Sequence, residues 1–241
     1  HELAGTTLVP GVYCATSFHL TGGTLTLSGT ASDVWIFKAA SDLIIAGGAN
    51  NNILHYTQND QPCRKGDLLL LDVAAGLGNY MSDLTRTIPV SGRFTRRQKQ
   101  VYNAVLRVFR QMVKAMVPGK TTKDLRTECE ALTAKECVDL GLLKPAQLRK
   151  ATPDLPAVSP FFMHGVAHPI GLDVHDVTYN HLKIAPGWVL TCEPAIYIKE
   201  EGFGVRLENT ILVTETGQCD LMADIPIEAD AIEDLMNRCS A

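Results

Sequence analysis

Four acidic residues of this sequence lie within or at the edge of apolar segments that are typical of β-strands. They are Asp72, Asp83, Glu193 and Glu208. Burying even a neutral polar group without a partner costs about 2–7 kcal/mol, so four such carboxylates need a common explanation. A shared cation would provide one, with His168 as a nitrogen ligand. This donor set carries more negative charge than one divalent ion requires, which favours two metal ions held close together.

Three histidines fall in one short stretch, FFMHGVAHPIGLDVHD, which runs from Phe161 to Asp176. They are His164, His168 and His175, with apolar residues between them. By itself the stretch is also consistent with a strand and loop whose histidines are exposed or hydrogen-bonded, just as any single carboxylate could be part of a surface salt bridge. The combination of acidic strands and a His-rich segment is what predicts a metal centre.

The composition is that of an ordinary globular protein. The chain has 241 residues, of which 46% are hydrophobic and 20% charged, with a net charge of −4. There is no basic excess of the kind that binds nucleic acid, and no apolar run long enough to span a membrane. Seven cysteines are present, none of them in a C-x-x-C pair. We interpret them as free, mostly buried thiols, which predicts a reducing, cytoplasmic location.

Strands are predicted around each of the four carboxylates. Leu68–Val73 is a continuous apolar run that predicts a strand buried on both faces, and it carries Asp72. The other strands predicted after residue 43 are Ile53–Tyr56, Tyr80–Val90, Trp188–Ile198 and Val205–Thr214. The last three carry Asp83, Glu193 and Glu208, so the strands would bring the acidic residues together.

Helices are predicted between the two groups of strands. Thr95 and Gln98 fit a capping box, and apolar residues at helical spacing extend this helix to Met116, before Pro118-Gly119. A second helix is predicted over residues 122–141 and a short C-terminal one over Ile227–Ser240. The apolar faces of these helices are assigned to the core.

Residues 1–43 differ in character from the rest of the chain. They are rich in Thr, Gly and Ser, and short strands are predicted at Gly11–Cys14, Thr24–Leu27 and Val34–Lys38. This segment resembles the opening coils of the secreted ice-binding β-solenoid family. The resemblance implies an alternative in which the protein is a secreted ice-binding or adhesion protein with a vestigial enzyme domain. A β-rich segment that packs on the following domain, residues 44–241, is the other interpretation.

Six short motifs in the larger domain resemble the Xaa-Pro aminopeptidases (aminopeptidase P) of the pita-bread metallopeptidase family. The motifs are LLD at 70–72, SDLTRT at 82–87, HGVAH at 164–168, GLDVHD at 171–176, EP at 193–194 and VRLE at 205–208. The resemblance covers residues 44–241 and implies an α+β pita-bread fold. The helices of the family's first half would precede residue 44, where this chain has the β-rich segment instead.

The resemblance also implies a role for each candidate residue. The implied ligands of two divalent metal ions are Asp72, Asp83, His168, Glu193 and Glu208, with Asp83 and Glu208 bridging the two ions. Glu193 would also be the general base. His55, His164, His175 and Arg206 are implied to contact the substrate or to orient the carboxylates. Two positions depart from the family pattern, because Pro169 replaces an aromatic residue and Ala195 replaces a glycine.

The activity implied by the resemblance is hydrolysis of the N-terminal Xaa-Pro peptide bond by a dinuclear-metal aminopeptidase. The partners would be peptides with proline at the second position, and a homo-oligomer is compatible with the family. Manganese is the first choice of metal because the ligands are mostly hard oxygen atoms, with cobalt or zinc as competitors. A prolidase-type Xaa-Pro dipeptidase is the alternative within the same enzyme class.

Overall fold

The computed structural model describes residues 43–237, apart from 55, 57–61, 78, 153–154 and 180, together with four short strands before residue 43. The strands are β1 Thr7–Leu8, β2 Gly11–Ala15, β3 Thr26–Leu27, β4 Trp35–Ala39, β5 Leu43–Gly47, β6 Leu68–Val73, β7 Gly76–Leu77, β8 Tyr80–Met81, β9 Leu84–Pro89, β10 Val189–Cys192, β11 Ala195–Ile198, β12 Phe203–Arg206, β13 Asn209–Val213 and β14 Gln218–Asp220. The α-helices are α1 Arg96–Ala115, α2 Thr122–Asp139, α3 Pro145–Leu148 and α4 Ala229–Asn237, with 3-10 turns at Gly48–Asn52 and Lys199–Glu201.

Antiparallel sheets carry most of the strands after residue 43. One sheet has the order β5-β6-β9, and in its centre Asp72 pairs with Thr85 of β9. A second has the order β10-β13-β14, while β11 and β12 form a separate pair. The prediction of a strand over Leu68–Val73 is confirmed. Together with the helices, these sheets form the mixed α+β architecture that was expected.

Three of the strands predicted as continuous are broken, in each case at the acidic residue. The prediction of one strand over Tyr80–Val90 is wrong at Asp83, because β8 ends at Met81 and β9 begins at Leu84. Trp188–Ile198 breaks in the same way at Glu193, and Val205–Thr214 breaks at Glu208. The backbone N–H groups of two of these acidic residues bond to residues distant in sequence. Glu193 donates to the Val166 carbonyl at 2.9 Å, and Glu208 donates to the Thr85 carbonyl at 3.0 Å. These breaks let the side chains leave the alternation of the strand and point to one place.

The two long helices form the core behind the sheets. Both begin with a capping box, made by Thr95 with Gln98 in α1 and by Thr121 with Asp124 in α2. Residues of α1, α2 and the second group of strands form one continuous hydrophobic cluster. The predicted helices at 95–116 and 122–141 are confirmed to within two residues at each end. Within the described part of the chain, no helix has the length and apolar character needed to cross a membrane.

One other prediction on local structure is wrong. The strand predicted over Ile53–Tyr56 is not formed, since Ile53 lies in a bend and Leu54 in a turn that follow the 3-10 turn. The His-rich stretch is irregular, and it is held beside β10 by a bridge between Pro169 and Leu190 and by backbone hydrogen bonds from Ile170 to Val189 and from Thr191 to His168. The segment before residue 43 contains β-strands where the structure describes it, with β2 parallel to β4 and β1 parallel to β3. The domain boundary at residues 43 and 44 stays a prediction.

Candidate metal centre

Eight of the nine candidate residues line one cavity of about 250 Å³. They are Asp72, Asp83, His164, His168, His175, Glu193, Arg206 and Glu208. The ninth, His55, lies outside the described residues, although its neighbour Leu54 also lines the cavity. The cavity therefore brings together residues from five parts of the fold. These are β6, the break between β8 and β9, the His-rich stretch, the break between β10 and β11, and β12 with the break that follows it.

The tightest group within the cavity consists of Asp83, His168 and Glu208. Each offers one potential ligand atom, and these three atoms all lie within 4.8 Å of one another. The Nε2 atom of His168 is 3.6 Å from Oδ2 of Asp83 and 3.7 Å from Oε1 of Glu193. Two carboxylates and an imidazole at this separation form a donor set that suits a divalent transition metal.

Glu208 provides a direct test of whether the residues fit a cation. Its Oε2 atom accepts a hydrogen bond from the Thr85 hydroxyl at 2.6 Å, whereas its Oε1 atom is buried and has no hydrogen-bond partner among the described residues. A buried carboxylate oxygen without a donor is costly, and a bound cation would remove that cost. The donor set and this unpaired oxygen both fit a divalent metal.

His168 is oriented by the residue at which the sequence departs from the family pattern. The ring Nδ1 lies 3.0 Å from the carbonyl oxygen of Pro169, which places the Nδ1 proton in that hydrogen bond and leaves Nε2 facing the carboxylates. Proline retains its carbonyl, so this replacement keeps the orientation of the ligand. The second departure, Ala195, is fully buried in β11 and pairs with Arg206 of β12.

A buried arginine provides positive charge at the edge of the cluster. Arg206 forms an ion pair with Asp72 through Nη2, and it also donates to the Thr85 hydroxyl at 3.1 Å and to the Tyr197 hydroxyl at 3.2 Å. The same Tyr197 hydroxyl lies 3.0 Å from Nε2 of His164. Arg206 and Tyr197 therefore connect Asp72 to His164.

Burial, together with the charges of neighbouring carboxylates, raises the pKa of three carboxylates of the site. Burial, reinforced by the charges of Asp83 and Asp72, raises the pKa of Glu208 to about 8. Burial raises the pKa of Asp72 to about 6, although the nearby Arg206 opposes the shift. Burial and the Glu208 charge raise the pKa of Glu193 well above its usual range. Without a cation, the site therefore retains protons at neutral pH.

The remaining histidines lie next to different members of the cluster. Nδ1 of His164 is 3.5 Å from Oε2 of Glu193. The ring of His175 packs edge-on against that of His168, with the ring centroids 4.3 Å apart. Each is thus within reach of a group bound beside Glu193 or His168.

Sequence reasoning missed the threonines that support the carboxylates. Thr85 bonds to Glu208 and Arg206, while Thr191 accepts from the His168 N–H at 3.1 Å. Thr210 donates its hydroxyl to the Asp83 carbonyl at 2.9 Å. Threonine is a common strand residue, so nothing in the sequence distinguishes these three from other threonines of the strands.

Comparison with known proteins identifies the class to which this fold and cavity belong. The model of metallopeptidase family M24 matches residues 25–215, and the chain belongs to that family. Solved structures confirm the pita-bread fold: zinc-substituted aminopeptidase P from Escherichia coli in complex with product superposes with a TM-score of 0.77 at 36% identity, covering 83% of this chain and 48% of that one.

Curated relatives are named more specifically. The Xaa-Pro aminopeptidase of Haemophilus influenzae is 41% identical over 206 residues, covering 80% of this chain and 47% of the relative. Human Xaa-Pro aminopeptidase 3 is 36% identical over 208 residues, covering 82% of this chain and 40% of the relative. The chain thus spans less than half the length of these relatives.

The raised pKa of Glu208 predicts how the stability of the metal-free protein depends on pH. In the folded chain Glu208 holds its proton up to about pH 8, whereas an unfolded glutamate, with a pKa near 4.5, ionises well below that. Its contribution to stability is therefore fully present below pH 4.5 and is lost as the pH rises toward 8. In EDTA, we expect Tm to fall more between pH 5 and pH 8 in the natural chain than in Glu208→Gln, whose amide does not titrate. Equal falls in Tm would contradict this prediction.

Proposed function

We propose that this chain is a divalent-metal-dependent aminopeptidase that hydrolyses the N-terminal Xaa-Pro peptide bond. The observation that carries the proposal is the meeting of four buried or partly buried carboxylates and His168 in one cavity, with one oxygen of Glu208 lacking a partner. Membership of family M24 and the names of the relatives support the same activity.

Five residues would hold the metal. In this proposal Asp72, Asp83, His168, Glu193 and Glu208 would hold two divalent ions. Manganese is the first choice for a set with mostly oxygen ligands, and cobalt or zinc would compete. Bound divalent ions polarise the scissile carbonyl and make water a nucleophile near neutral pH.

Side chains of the cavity transfer the proton and position the substrate in this proposal. Glu193 takes the proton of the attacking water at a carboxylate oxygen and passes it to the leaving proline nitrogen. His164 and His175 hold the peptide on either side of the reacting carbonyl and stabilise the charge that develops on its oxygen. Arg206 keeps Asp72 oriented through their ion pair. A proline nitrogen offers no N–H, so the substrate is recognised by its ring and its fixed φ.

The proposal is tested by metal-dependent release of the first residue from a peptide that begins Ala-Pro. We expect cleavage of Ala-Pro-Ala with manganese present, loss of cleavage in EDTA, and little cleavage of the matched Ala-Ala-Ala. Metal analysis of the loaded protein should give two equivalents per chain. No cleavage by folded, manganese-loaded protein would overturn the proposal. Hydrolysis confined to the dipeptide Ala-Pro would instead identify a prolidase.

A further inference from the structure

Two further cavities lie next to the reaction cavity, and α2 forms part of the lining of both. The first, of about 520 Å³, shares Gly165 and Ala167 with the reaction cavity. The second, of about 380 Å³, shares Thr127, Glu130 and Pro156 with the first. We call the two together the α2 groove. Each cavity shares lining residues with the next, so the three are adjacent, and an extended chain bound at the reaction site would enter the groove by crossing the exposed Gly165.

The segment between the reaction cavity and the groove has no side chain at Gly165, and a backbone hydrogen bond attaches it to the site. Gly165 is exposed and lacks a side chain, and a Cβ there would meet only the Ala167 carbonyl oxygen, at 3.8 Å. Between them, the carbonyl of Val166 accepts the N–H of Glu193 at 2.9 Å. This hydrogen bond attaches the rim of the groove directly to the residue proposed as the general base.

The groove is long enough for several residues of an extended peptide. Along α2 its lining runs from Thr122 to Ala134. At 1.5 Å per residue this distance is about 18 Å. An extended chain rises about 3.3 Å per residue, so the groove accommodates about five residues.

The chemistry of the lining changes along the groove. The part next to the reaction cavity carries the exposed cations Lys123 and Arg126, with Glu130 as the acidic residue, which is paired with Arg126 at 2.8 Å. The far part is mostly apolar, and includes Ala131 and Leu148. The near part favours a carboxylate, and the far part favours an apolar side chain.

We propose that the α2 groove binds the part of the peptide substrate that follows the scissile bond, with a carboxylate beside Lys123 and an apolar side chain farther along. This inference rests on the proposed function. An enzyme that releases one residue has only that residue before the scissile bond, so an extended groove that continues from its reaction site holds the downstream segment. The protein would therefore favour long, acidic peptides over dipeptides.

The test compares Lys123→Glu with Lys135→Glu, a control on the same helix, since Lys135 is exposed and lines neither part of the groove. The substrates are heptapeptides that begin Ala-Pro and carry Asp or Lys at the fourth position, with amidated C-termini. A tetrapeptide with a free or amidated C-terminus distinguishes a terminal carboxylate from a side-chain carboxylate. We expect Lys123→Glu to lower kcat/KM for the Asp heptapeptide about 5-fold relative to the Lys heptapeptide. Lys135→Glu should change neither.

Binding provides a second readout that does not depend on catalysis. Fluorescence anisotropy of a labelled Asp heptapeptide, with the label at its C-terminal end, measures Kd on the manganese-loaded protein. Weaker binding by Lys123→Glu than by Lys135→Glu supports the groove, even if Ala-Pro-Ala is not cleaved and the proposed function fails. Equal Kd values for both variants and the natural chain would overturn the groove proposal, even if Ala-Pro-Ala is cleaved.

Discussion

An Asp83→Asn variant is expected to lose hydrolysis of Ala-Pro-Ala, with kcat/KM lower by about 100- to 1,000-fold or more. Asp83 belongs to the tight group with His168 and Glu208, and its Oδ2 atom faces His168 Nε2 at 3.6 Å. Asparagine has nearly the same shape but removes the negative charge, and one of its two terminal atoms becomes an NH₂ group. A site that depends on Asp83 as a ligand therefore loses its metal while the fold is retained.

Thermal unfolding separates this effect from general damage. The charge of Asp83 helps to raise the pKa of Glu208, so its removal relieves repulsion in the metal-free site. In EDTA we expect Tm of Asp83→Asn to equal or exceed that of the natural chain. Manganese should raise Tm of the natural chain by stabilising its folded state, and should raise that of the variant far less.

Asp173→Asn is the matched control for this experiment. Asp173 is exposed in the same His-rich stretch as His168, and its carboxylate is not part of the cavity lining. The control should keep its activity and its response to manganese. If Asp83→Asn retains more than about a tenth of the natural activity, Asp83 is not an essential ligand.

The parts of the fold that could be predicted are those specified by neighbouring residues. The two capping boxes mark the starts of α1 and α2 with residues three positions apart, and the apolar run Leu68–Val73 is long enough to specify a buried strand. Such signals act within a few residues of the chain. The ends of these elements consequently lie close to where the sequence places them.

The strand break at Glu208 could not be predicted in the same way. The residues around Glu208 have ordinary strand propensity and the local pattern continues through it, whereas Pro194, directly after Glu193, lacks an N–H and does indicate a break there. At Glu208 the backbone N–H bonds instead to Thr85, which is distant in sequence. Tertiary structure therefore overrides local preference at the site itself.

Among the side chains of the site, the sequence identifies the carboxylates but not the threonine that supports them. The carboxylates could be identified because a buried acidic residue conflicts with an apolar strand, and that conflict needs a partner. Thr85 presents no such conflict, since threonine is a normal strand residue. Its role depends on Glu208 and Arg206 meeting it in space, and the sequence alone does not show this.

Arg206→Met is expected to cause the largest loss of stability, about 3–5 kcal/mol in the metal-free chain, because it leaves buried carboxylates without their cation. In the natural chain, only 5% of the Arg206 side chain is exposed. Its guanidinium pairs with Asp72 and donates hydrogen bonds to the hydroxyls of Thr85 and Tyr197. In a domain of this size, such a loss lowers Tm by roughly 10 °C. Circular dichroism melting in EDTA measures it.

Manganese should restore much of the stability lost in Arg206→Met, because bound cations supply the positive charge that the substitution removes. Arg86→Met is the matched control: Arg86 is also buried, but it bonds to backbone carbonyls, including those of Glu208 at 2.7 Å and Pro226 at 2.8 Å. That variant is also expected to lose stability, since these acceptors lose their donor. Metal cannot replace those hydrogen bonds, so manganese should raise Tm of Arg86→Met no more than it raises that of the natural chain. A larger gain for Arg206→Met would show that its guanidinium and the metal compensate the same buried charge, and equal gains in the two variants would disprove it.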